Sequence, residues 1–196
     1  MKLSKRGEYA LRALINLGIA HEVGRSLVQV SEIADYERIP VKFLEQIMQS
    51  LKEAGLVSSQ RGRFGGYRLA RLASKIRLGD IIRLVEGPLA PIRCVSATAY
   101  EKCSCPDEAH CGLRMIMLDV RNAISGILDR HTIADVVGVT LRKMQRSGLL
   151  PPFAHSPKPQ PGRNRRPAGR HPSSTRHSQS GPLEGILSNL LPEYSI

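Results

Sequence analysis

The chain lacks any run of about 18 consecutive apolar residues, which excludes a membrane-spanning helix on sequence grounds. Its opening residues, Met-Lys-Leu-Ser-Lys-Arg-Gly-Glu, carry charge but lead into no apolar stretch of the kind an export signal needs. A cytoplasmic location is therefore expected. Cysteine is absent from residues 1–93 and 112–196. In a reducing compartment the four that remain are read as ligands or reactive thiols rather than disulfides. No phosphate-cradling glycine motif and no paired catalytic carboxylates accompany them, so neither an enzyme nor a small-molecule substrate is expected. Internal repeats are also missing. Acidic residues are scarce, with 17 Asp+Glu against 29 Lys+Arg and a formal net charge of +12.

What is present is enough apolar material, 41% of 196 residues, for one packed domain plus an extension. The charge excess is concentrated. Residues 1–75 hold 13 basic and 7 acidic side chains, whereas residues 76–150 hold 10 and 8. A basic N-terminal half is the footprint of a polyanionic partner, most often nucleic acid. Composition changes again at Leu150, after which nine of the 13 prolines fall. Residues 151–182 are rich in Pro, Ser, Arg, His and Gly, and such a stretch buries too little apolar area to offset its ordering entropy. Disorder is expected there, with a short amphipathic piece at Leu183–Leu191.

The remainder reads as mainly α. Ser4 caps a helix running to about Ala20, with Leu11, Leu14, Ile15 and Gly18 on one face, and Gly24 ends it. A short helix at Ser31–Tyr36 and a turn through Arg38-Ile-Pro40 lead to a third helix, whose stripe is Phe43, Leu44, Ile47, Met48 and Leu51. Gly55 stops that helix. Two short strands then flank the glycine-rich tip Arg61–Gly66, which bears Arg61, Arg63 and, beside it, Arg68. A basic hairpin directly after a helix-turn-helix is a wing. A helix at Leu78–Glu86 and a cysteine-bearing loop follow. The longest periodic stretch, Leu113–Arg130, shows more apolar face than so small a domain needs, which points to a dimer interface. A Thr132–Asp135 capping box opens a last helix to about Met144.

The N-terminal residues of a recognition helix point at base edges, which here singles out Lys42, Glu45 and Gln46. Arg61 and Arg63 are expected to meet phosphates or the minor groove, adding affinity rather than sequence information. Cys94, Cys103, Cys105 and Cys111 lie within one polar loop. Their gaps of eight, one and five residues omit the paired Cys-x2-Cys of common zinc sites. An iron–sulfur cluster, a structural zinc and a bare thiol switch all remain open on spacing alone. Arg93, Lys102 and Arg114 are expected to favour the thiolate forms.

Lys2-Leu-Ser-Lys-Arg-Gly-Glu-Tyr-Ala-Leu, Phe43-Leu-Glu-Gln-Ile and Gly55-Leu-Val-Ser-Ser-Gln-Arg-Gly-Arg-Phe-Gly-Gly-Tyr together resemble the Rrf-two family of bacterial winged-helix transcriptional regulators. The similarity covers residues 1–145. It implies a homodimer with a long crossing helix, duplex DNA gripped by recognition helix and wing (Gly65, Gly66 and Tyr67 included), and a 2Fe-2S or 4Fe-4S cluster that tunes the grip. By the same resemblance Cys94 and Cys111 match the first and third ligands, and Cys105 matches the second, with Cys103 its alternative. Glu8 matches an acidic fourth ligand donated by the partner's first helix. In members that use a histidine three residues past the last cysteine, the corresponding position here is Arg114; His110 or the fourth cysteine are the substitutes. The expected organisation is a winged helix-turn-helix at 1–88, a cluster-binding loop at 89–112, dimerisation helices at 113–148 and a disordered basic tail at 149–196.

Overall fold

Ser4 opens the first helix, α1 (Lys5–Glu22), where its hydroxyl accepts from the Gly7 N–H at 3.2 Å. This is the central element of the computed structural model, which describes residues 3–154. Ala10, Ala13, Leu14 and Leu17 are buried along it. At Gly18 a Cβ would stand 2.7 Å from Val137 Cγ2, so the missing side chain lets the last helix cross α1 closely. Gly24, at φ 79, carries the chain out of the helix region.

Helix α2 (Val30–Glu37) starts from a Gln29–Glu32 capping box and ends at Arg38, in the left-handed region at φ 54. Pro40 is the N-cap of α3 (Val41–Glu53) rather than its first helical residue, one position from the expectation. The predicted stripe holds. Leu44, Ile47, Met48 and Leu51 are fully buried, and Phe43 meets Tyr9 edge-on at 5.8 Å. Each such buried side chain contributes roughly 1.5–3 kcal/mol relative to exposure.

Strands β1 (Val57–Gln60) and β2 (Gly66–Leu69) pair antiparallel, Val57 opposite Leu69 and Gln60 opposite Gly66. A third strand position, not expected from the sequence, comes from Val28. Its N–H donates to the Tyr67 carbonyl at 3.0 Å and its carbonyl accepts from Tyr67 N–H at 2.8 Å. The wing is thereby bonded to the segment that leads into α2.

Helices α4 (Leu78–Glu86) and α6 (Ile133–Arg146) start side by side. Leu78 N–H donates to the His131 carbonyl at 3.0 Å, and Ile133 N–H donates to that of Ile76 at 2.9 Å. The Thr132–Asp135 capping box is present. Between them runs α5 (Gly112–Arg130), 19 residues without one that is buried. Arg83 fastens its C-terminal end with a two-bond fork to Asp129, at 2.8 and 2.6 Å. After α6 the chain turns back, burying Pro152 and placing the Phe153 ring 5.9 Å from Tyr36. Among the described residues no helix is long and apolar enough to cross a membrane. Most of the tail expected from 149 onward, including Leu183–Leu191, lies outside the described residues.

Candidate nucleic-acid interface and thiol cleft

Burying one face of α3 leaves the opposite face in solvent. Lys42, Glu45 and Gln46 all lie on that exposed face, with Lys42 Nζ 3.2 Å from Glu45 Oε2. They line a shallow groove of about 580 Å³ together with Arg6, Gln49 and Ser50. Arg6 reaches across from α1, donating to Ser50 Oγ at 2.8 Å. The sequence carried no signal for Arg6, because the register between two helices far apart in the chain appears only on folding. The groove, whose lining also includes Glu53, offers cations, carboxylates and carboxamides side by side, the donor and acceptor set that reads base edges.

At the wing, Arg61 and Arg63 are exposed, and Gly62 takes φ 120. Gly66 and Tyr67 open β2, directly after the tip. A Cβ on Gly66 would lie 2.6 Å from the Val28 carbonyl oxygen, so only glycine allows the third strand to pair. Gly65 closes the tip, its N–H donating to the Gly62 carbonyl at 3.0 Å. Arg68 stays exposed with Nε donating to Ser58 Oγ at 3.2 Å. Phe64, not singled out from the sequence, is the most exposed large apolar residue described, at 79%. A lone aromatic between two arginines and two glycines, in a chain with 4% aromatics, was the available signal.

The structure brings all four cysteines to one cleft of about 330 Å³. Cys94 is buried in the 3-10 turn Arg93–Val95, and Cys111 is the N-cap of α5. The thiols interact in succession, Cys94 with Cys103, Cys103 with Cys105 and Cys105 with Cys111. Burial pushes the Cys94 thiol up. The backbone N–H of Cys105 holds Cys103 below the ordinary thiol value. The hydrogen bond with Cys103 pushes the Cys105 thiol up to about 11. The expectation that nearby cations favour thiolates is thus met only at the margin. Arg93 pairs with Glu101 at 2.5 Å and Arg114 with Glu108 at 3.1 Å, and at Cys94 burial outweighs Arg114.

Glu8 is not in this cleft within one chain. Hydrogen bonds from Lys5, at 2.7 Å, and from Arg12, at 3.1 Å, hold its carboxyl below the usual range. His110 is exposed and bonded to Asp107 at 2.6 Å. Four soft thiols on one cleft suit iron or zinc in donor type. Among the described residues, however, no group of three or more His, Cys, Asp or Glu is already spaced to hold a metal ion. The donor set fits such a group, and closing on it requires the loop to draw together.

Residues 3–138 match the family model described as Rrf2, iron-dependent transcriptional regulator. A putative HTH-type regulator of Rhodobacter capsulatus, rrf2-like, is 36% identical over 139 residues, 69% of this chain and 91% of its own length. The solved structure of CymR, described as the global cysteine regulator of B. subtilis, superposes with a TM-score of 0.60 at 32% identity, covering 71% of this chain and 98% of that one. IscR of T. potens superposes with a TM-score of 0.56 at 28% identity, covering 76% of this chain and 93% of that one.

Proposed function

This chain belongs to the Rrf2 family of DNA-binding transcriptional regulators, and from that premise we propose that it acts as a homodimer whose hold on duplex DNA is set by its thiol loop through an iron–sulfur cluster. The regulator reads sequence with Lys42, Glu45 and Gln46 in the major groove, while Arg61 and Arg63 neutralise phosphates beside it. The observation that carries the regulatory part is the placement of four thiols on one cleft between the 3-10 turn and the first residue of α5. Cys94, Cys111 and one of Cys105 and Cys103 would hold the cluster, with Glu8 of the partner subunit as fourth donor. When bound, the cluster supplies a redox-labile cross-link among these residues.

The chain's own residues give that cross-link leverage. Cys111 caps α5, so the loop's conformation sets where the first turn of α5 begins. The other end of α5 is fixed to α4 by Arg83 and Asp129. Leu113, Met115, Ile116, Val120 and Ile127 stay exposed on the single chain, as suits a face covered by a second copy. A small rotation there alters the separation of two reading heads whose half-sites lie about 34 Å apart, one helical turn.

A second reading, a structural zinc or cluster-free thiol switch, is favoured by the lack of a ready metal arrangement among the described residues and by the direct Cys103–Cys105 interaction. Anaerobic purification decides between them. The cluster reading expects a brown protein with matching iron and sulfide, bleached by Cys94→Ala. Colourless protein with stoichiometric zinc, or metal-free protein that gains disulfides in air, establishes the second reading instead.

A further inference from the structure

The wing tip carries a residue that phosphate contacts leave without a role. Phe64 is 79% exposed and occupies the third position of the turn Gly62–Gly65, closed by the 3.0 Å Gly65–Gly62 backbone bond. The turn itself is tightly packed. A Cβ on Gly65 would collide with the carbonyl oxygen of Gln60, and the strand below is bonded to Val28. The neighbouring Arg63 guanidinium lies over the Phe64 ring, 5.6 Å from its centroid, a cation–π contact that still leaves the side chain 79% exposed. An exposed apolar side chain alone is unremarkable on a protein surface. This one is held at the apex of a basic hairpin, in the same domain as the exposed face of α3 that carries the candidate base-reading residues.

We propose that Phe64 is an apolar wedge that enters the minor groove beside the α3 contact and partly unstacks one base step per half-site. The inference rests on the DNA-binding reading and adds a source of specificity to it. With α3 in the major groove, the adjoining hairpin faces the flanking minor groove, about 6 Å wide, where hydrogen-bond readout is degenerate. Discrimination at that position then comes from deformability. Pyrimidine–purine steps open most easily, so Phe64 selects them, and the duplex kinks toward the major groove. Arg61 and Arg63 hold the phosphates on either side of the opened step.

The test uses the full chain and duplexes selected by it from a random-sequence pool, resynthesised with 2-aminopurine at each adenine and with donor and acceptor dyes at the ends. Wild-type protein is expected to raise fluorescence several-fold at one step per half-site and to shorten the end-to-end distance. Phe64→Ala is expected to abolish both signals and weaken binding to these duplexes about tenfold, the cost of losing readout at a base step. Its salt dependence and its affinity for random duplex stay unchanged, and Phe64→Leu keeps part of the signal. Because Phe64 packs on no core residue, circular dichroism of both variants should match the wild type. Bound duplexes with silent 2-aminopurine and unchanged length, or a Phe64→Ala variant equal to wild type, overturn the wedge and leave DNA binding standing. Failure of the wild type to bind any duplex overturns both.

Discussion

At Gly66 a methyl group would meet the Val28 carbonyl oxygen at 2.6 Å, and both partners are backbone with little room to give. Gly66→Ala is therefore expected to cost roughly 1–3 kcal/mol, the usual penalty of overpacking, and to loosen the wing. Urea unfolding read beside DNA affinity checks both. Asp129 offers a pH-dependent counterpart. The Arg83 fork holds its carboxyl below the ordinary 3.8, so its contribution is present in full above that value and fades as pH falls through the lowered one. Asp129→Asn should be less stable than wild type at neutral pH and converge with it at the acid end of a stability profile. Residues with local roles were legible in the sequence: Ser4 and Thr132 as caps, Gly24 and Gly55 as stops. Residues with distant partners were not. Asn16, 2% exposed, donates to Glu37 at 2.5 Å and to the Arg12 carbonyl at 2.9 Å, tying α1 to the end of α2, and nothing in periodicity marks a buried amide.

At the scale of elements, period and punctuation explain why the six α-helices and the hairpin of the described residues could be read in advance. Apolar residues spaced by threes and fours leave one solution for α3, and Gly-rich tips between short strands leave one for the wing. The Val28 strand was invisible because a single bridging residue has no period. Thr132→Ala removes the side-chain acceptor that caps α6 and should cost about 1 kcal/mol, measurable by thermal or urea unfolding. For the wing, counting charge gives a sharper expectation. Arg61→Ala and Arg63→Ala should each lower the slope of log affinity against log salt by about one unit, uniformly across sequences. Slopes equal to wild type would remove the wing arginines from the interface.

For the molecule as a whole, α5 shows how much of the site a single chain can hold. Its apolar residues were legible as a surplus, and the structure leaves them exposed, with Ile116 at 59% and Met115 at 65%. Ile116→Glu should yield a monomer in sedimentation velocity with helical content unchanged, whereas a dimer of wild-type affinity would place the interface elsewhere. The cysteine loop was legible only as a cluster of residue types. Its convergence on one cleft depends on how the 3-10 turn meets the start of α5, which no spacing rule encodes. Coupling between that cleft and the reading heads is read from anaerobic DNA-binding isotherms of wild type and of the Cys94→Ser, Cys105→Ser, Cys111→Ser triple variant on one selected duplex. Coupling of ordinary size predicts affinities that differ by about tenfold or more. Superimposable isotherms would contradict it.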